Sequence, residues 1–204
     1  MKSHPSHSGF LIEEVDPREK AADQLLKRAG IKSVPVPVDQ VAQFLGAQVR
    51  YAAFEDSLSG LLYREESEDG AEVATVIGVN VSHPPRRRRF TIAHEIGHLA
   101  LEHLAQAEFD PLHIDRKFPC LPRDGTSAQG VNRLEIEANG FAAALLMPAK
   151  QLRQDFRKWK TDSIECFDYE DDELASALAK RYNVSLQAMI IRLTRLSLIE
   201  SDGS

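Results

Sequence analysis

The sequence predicts an α+β protein, in which a small antiparallel sheet packs among helices and a helical hairpin of helix-turn-helix type extends the C-terminus. Three observations predict it. Runs of helical periodicity stand on both sides of three short β-prone segments. A long helix between them carries two histidines four residues apart. A hydrophobic content of 43% in 204 residues is enough for a sizeable core. The expected division is a flexible N-terminus over 1–16, a main domain over 17–160 and a helical extension over 161–204.

Two helices are expected within 17–45. Ala21, Leu25, Leu26 and Ala29 recur at helical spacing before Gly30 stops the first helix, and Val38, Val41, Ala42 and Leu45 mark the second. Segments 47–53, 60–64 and 72–81 read as strands, with a polar turn at Asp69-Gly70 joining the last two. The long helix is then entered at Ser82 as N-cap, with Pro84 and Pro85 in the first turn, where missing amide hydrogens cost little. Phe90, Ala93, Ile96, Gly97 and Leu101 form its inner face. The stretch 103–131, with Pro111, Pro119, Pro122 and Gly125, is too long for an ordinary connector and reads as a lid or substrate-binding loop. Segment 134–147 is a strongly apolar helix ended by Pro148, and 151–159 continues as an amphipathic one.

The net charge of −6 argues against a protein whose main partner is a phosphate backbone, since such domains carry a basic excess. Cys120 and Cys166 belong to no C-x-x-C pair, so they read as reduced thiols rather than metal ligands or a disulfide framework. No apolar run follows the lysine near the N-terminus, and none elsewhere approaches the roughly 20 residues of a membrane span. A cytoplasmic protein with no membrane partner is expected.

His94-Glu95-Ile96-Gly97-His98 is an H-E-x-x-H match within a helix. Residues four apart on a helix are surface neighbours, so both imidazoles can converge on one ion while Glu95 projects beside them. Two nitrogens, one carboxylate oxygen and an open fourth position suit catalytic zinc, with manganese as an alternative occupant. A buried histidine pair can also be ordinary hydrogen-bonded core. Gly97 weighs against that, because glycine inside a helix costs about 1 kcal/mol relative to alanine unless something must approach closely.

The third ligand cannot follow the metzincin pattern, since position 101 is Leu and His103 falls one residue short. A glutamate from the later helix is the alternative. Glu135 and Glu137 point about 200° apart. Glu137 shares its face with Phe141, Ala144 and Leu145, where an unpaired carboxylate is expensive to bury. Glu137 is therefore the expected ligand, with Glu135 as the supporting or alternative carboxylate.

Arg89-Phe-Thr-Ile-Ala-His-Glu-Ile-Gly-His98, Glu135-Ile-Glu-Ala-Asn-Gly-Phe-Ala142 and Leu145-Leu-Met-Pro148 together resemble the ImmA/IrrE family of metallo-endopeptidases. Weaker likeness at Pro37-Val38-Asp39, Gly60-Leu61-Leu62 and Gly78-Val79-Asn80 extends it over most of 20–197. The resemblance implies a zincin-like, gluzincin-like metalloprotease core. It further implies a zinc-dependent protease that cleaves a helix-turn-helix repressor encoded nearby and so switches on stress-response or mobile-element genes.

In such a protease Glu95 serves as general base, and a donor for the developing oxyanion is expected. His103, His113 and Tyr51 are the candidates, and one sequence does not rank them. Arg86, Arg87, Arg88 and Arg89 precede the metal helix, where positive charge opposes the helix dipole. They could contact an acidic substrate segment or nucleic acid, or form a solvated run with Arg89 in a salt bridge. Two rival functions remain: a toxin or partner-binding module in an operon with a repressor, and a DNA-associated regulator with little peptidase activity. The latter draws on 174–185 followed by 186–196, which has the helix, turn and helix of a DNA-reading unit. Direct DNA binding is not expected, because the second helix leaves only Gln187 and Arg192 for groove contacts.

Overall fold

The computed structural model describes residues 16–55, 57–66, 73–103, 112–116, 127–163 and 171–200. Helix α1 (Pro17–Arg28) begins where the Asp16 carboxylate accepts from the Arg18 amide at 2.9 Å, with Pro17 in the first turn and Lys27 and Arg28 in the last. Helix α2 (Val38–Phe44) buries Val38, Val41 and Ala42.

Strands β1 (Ala47–Ala52), β2 (Leu58–Glu66), β3 (Val73–Asn80) and β4 (Leu112–Arg116) form one sheet in the order β1-β3-β2-β4. The sheet is mixed, which corrects the expectation of an antiparallel one. β2 runs antiparallel to β3 and β4, but β1 pairs parallel to β3, with Val49 opposite Ile77. The reason lies in β3, whose run Val76–Asn80 is buried on both faces. So apolar a strand belongs at the centre, and it inserts between β1 and β2. The fourth strand falls inside the stretch expected to be a loop; of that stretch, 104–111 and 117–126 lie outside the described residues.

Asn80, at the end of β3, fastens the β1–β2 connection to the start of the next helix. Its amide donates to the carbonyls of Leu58 (2.8 Å) and Glu55 (3.2 Å), and its oxygen accepts from the Ser82 amide at 3.0 Å. Helix α3 (Pro85–Ala100) is capped by Pro84 with no side-chain bond, so Ser82 is not its N-cap. Every residue from Thr91 to His98 is buried, because α3 is flanked by β2 and β3, by α2 and by helix α4 (Ser127–Leu146). Helix α1 covers α4.

Helices α5 (Ala149–Ser163), α6 (Asp171–Tyr182) and α7 (Leu186–Arg195) complete the chain. One buried apolar cluster runs from Ala22 and Leu25 through Ile77, Ile96 and Phe141 to Leu178, Met189 and Leu193. Arg192, 3% exposed, donates to the Met147 carbonyl at 2.9 and 3.1 Å and pairs with Glu19 of α1. Among the described residues no helix is long and apolar enough to cross a membrane.

Candidate metal centre

The site is built where α3 and α4 approach most closely. Gly97 permits the approach: a Cβ there would stand 3.2 Å from both the Cα and the carbonyl oxygen of Ala138. One turn before Ala138, Glu135 comes level with the histidines of α3. His94 Nε2 and His98 Nε2 are 3.0 Å apart, Glu135 Oε2 lies 3.1 Å from the first and Oε1 3.3 Å from the second. These three residues could hold a metal ion. Donors held about 2.0–2.1 Å from one tetrahedral zinc stand roughly 3–3.5 Å from one another, so spacing and donor chemistry both fit.

Glu137, the carboxylate expected at the site, is not the one brought to the histidine pair. The carboxylate that meets the histidine pair is Glu135, while Glu137 receives the Arg133 guanidinium at 2.8 Å and lies 3.3 Å from His103 Nε2. The Arg133 bond is the main reason the Glu137 carboxyl sits below its ordinary pKa. The apolar side of α4, with Phe141 and Leu145, faces the core, whereas a metal centre needs a polar flank of the same helix. Glu135 and Asn139 supply it at i, i+4 spacing. Asn139 Oδ1 stands 3.0 Å from His94 Nδ1.

His103 is fully buried, with Nδ1 3.1 Å from His98 Nδ1, so both its ring nitrogens face inward partners rather than an open oxyanion position. Tyr51 is likewise not brought to the histidines: its hydroxyl donates to Asp39 at 3.0 Å and Arg88 lies 5.9 Å over its ring. The backbone of His113 is opposite Leu62 in the β2–β4 ladder, and its side chain lies outside the described residues. Glu95 is fully buried on the sheet side of α3. A Cβ on Gly60 of β2 would stand 3.6 Å from its Oε1 and 2.3 Å from Thr91 Cγ2, so glycine lets β2 lie against this turn of α3.

The arginine run serves the fold more than an exposed patch. Arg87 donates to Ser59 Oγ at 2.7 Å, and Arg89 donates to the Val36 carbonyl at 3.0 Å, with no salt bridge to Arg89 among the described residues. Arg86 is exposed. A cavity of about 780 Å³ is walled by Asp16, Pro17, Arg18, Leu101, Arg133, Ile136 and Glu137, and none of His94, His98 and Glu135 lines it. Cys120 and Cys166 lie outside the described residues.

A search of curated proteins gives no match. Among solved structures, a Mycobacterium tuberculosis transcriptional regulator shares the fold, with a TM-score of 0.55 at 20% identity over 87% of this chain. The chain spans about half of that protein, 46% of its length. Residues 42–194 match the peptidase M78 family, described as the IrrE N-terminal-like domain, a span that takes in β1 to α7 and the whole His94, His98 and Glu135 group. On that match the chain belongs to the peptidase M78 family of IrrE N-terminal-like domains.

Proposed function

We propose that this protein is a zinc-dependent endopeptidase whose substrate is a helix-turn-helix transcriptional repressor encoded nearby, so that cleavage derepresses stress-response or mobile-element genes. The observation that carries the reading is the convergence of His94, His98 and Glu135 on one point, with Glu95 buried on the next position of the same helix. Zinc bound there would acidify a water toward a pKa of about 7 and polarise a scissile carbonyl. His94 and His98 would hold it through Nε2, and Glu135 would add one carboxylate oxygen. Glu95 takes the proton from the attacking water and returns it to the departing amine. Its burial keeps bulk water away from that transfer.

The test is incubation of the zinc-loaded protein with the repressor encoded in the adjacent gene. Discrete fragments that disappear with chelator and return with added zinc are expected. An intact repressor beside protein that retains zinc would favour the second reading, a partner-binding module within a regulatory system. That reading draws on the fold shared with a transcriptional regulator. In the endopeptidase reading α6 and α7 pack the core or capture the repressor rather than read DNA.

A further inference from the structure

We propose that the outer face of α5 is a docking surface for a short acidic segment of a partner protein, received by the row Lys150, Arg153, Arg157 and Lys160. The proposal goes beyond the peptidase reading and stands without it.

From Ala149 to Lys160 the helix carries five cations and one acid. The acid, Asp155, is 7% exposed and bound to Arg181 and Tyr182, so it offsets no charge on the outer side. Lys150, Arg153, Arg157 and Lys160 fall within an arc of about 80° and run along about 15 Å of helix. All four are exposed, whereas Leu152 and Phe156 of the same helix are buried in the core. Like charges three or four residues apart disfavour a helix, and so do cations in its first turn. No acid stands three or four residues from any of the four. Elsewhere the chain does pair such cations at four residues' distance, Lys27 with Asp23 and Arg133 with Glu137. The row on α5 thus weakens the helix that carries it, which points to an anion outside that helix.

The charge balance of the whole chain favours a short polypeptide over nucleic acid. Net charge is −6, so a duplex, with one phosphate per roughly 1.7 Å of axis, would run past the row onto surface that repels it. A short acidic segment meets mainly the charges within a Debye length of the row, roughly 8–10 Å. Carboxylates spread over about 15 Å come from some ten residues of helix or about five of strand. The two guanidiniums in the row suit carboxylates further, since each presents a planar fork to both oxygens.

Fluorescence anisotropy on the full chain tests this, at low and moderate salt. The probes are a labelled helical peptide of about twelve residues with glutamates along one face, its glutamine counterpart, and a mixed-sequence DNA duplex. The acidic peptide should bind, more weakly as salt rises, and the glutamine peptide should not. Lys150→Glu, Arg153→Glu and Lys160→Glu together should weaken binding about tenfold or more. Glutamine at the same three positions should give an intermediate loss. Lys20→Glu, Lys32→Glu and Arg195→Glu change the net charge equally at other exposed sites, and together should leave affinity within about twofold. Trp159, the chain's one tryptophan, follows Phe156 by three residues on the inner side of α5, so its emission reports whether the helix stays in place. Equal losses in the two glutamate triples, or equal affinity or none for the two peptides, would overturn the proposal. Tighter binding of the duplex through the same three cations would give the face to nucleic acid and overturn it too. So would peptide binding that emerges only after Glu165→Gln, Asp168→Asn and Glu170→Gln, which would assign the face to the chain's own acidic run.

Discussion

Glu135 and Glu137 stand two positions apart on α4, yet one reaches the histidine pair and the other turns to His103 and Arg133. The sequence made the motif on α3 legible because H-E-x-x-H needs only helical geometry to bring two imidazoles together. The third donor depends on how two helices pack, which periodicity along one helix does not encode. The usable signal was polar spacing: Glu135 and Asn139 are four apart, and both meet His94. Glu135→Ala is therefore expected to abolish stoichiometric zinc binding, whereas Glu137→Ala keeps the ion with reduced affinity. Metal analysis after dialysis against a weak chelator separates the two. Zinc lost from the Glu137 variant and kept by the Glu135 variant would reverse the assignment.

At the scale of elements, the close contact of α3 with α4 brings the site residues together. Gly97 was read as a point of close approach, and the structure puts the Ala138 backbone there. Alanine in place of a mid-helix glycine ordinarily gains about 1 kcal/mol. Here the added methyl would meet backbone rather than a flexible side chain, so Gly97→Ala should lower Tm and weaken zinc binding together. A raised Tm with unaltered affinity would contradict the packing described. Most helices were visible from their periodicity and caps, but the strand order was not. Parallel pairing of β1 with β3 joins segments with another strand between them in the chain, and only the two-sided burial of β3 hints at it.

Across the whole molecule, the C-terminal helices are tied to the rest by buried polar contacts. Arg192 was one of two residues available for base contacts in a DNA-reading role. It is instead buried against Met147 and Glu19. Arg192→Ala should destabilise the protein by about 3 kcal/mol, the low end for removing one member of a buried pair, because Glu19 keeps some solvent contact. Thermal denaturation checks it, and a change within error would show that the clamp carries little. Between Asp171 and Ser204 the acids outnumber the bases by one, so titration with operator DNA should give no salt-resistant, sequence-selective binding.

A second tie joins α5 to α6. Burial pushes the Asp155 carboxyl up, but bonds from Arg181 at 2.7 Å and the Tyr182 hydroxyl at 2.8 Å outweigh it and hold its pKa below the ordinary value. The folded chain thus binds this proton less readily than the unfolded one. The stabilisation is complete above about pH 4, where an unfolded aspartate is ionised, and is lost as pH falls through the folded value. Asp155→Asn should remove part of the acid sensitivity of unfolding below about pH 4. Identical acid profiles for variant and wild type would contradict it.

In the proposed peptidase one helix supplies two of the three metal ligands together with the proton carrier, and Glu95→Gln separates these roles. Zinc content and cleavage of the repressor are measured on the same preparation. Wild-type zinc with cleavage lost is expected, because Glu95 stands outside the His94, His98 and Glu135 group and a neutral amide accepts no proton from water. Cleavage at the wild-type rate by the zinc-loaded variant would contradict it.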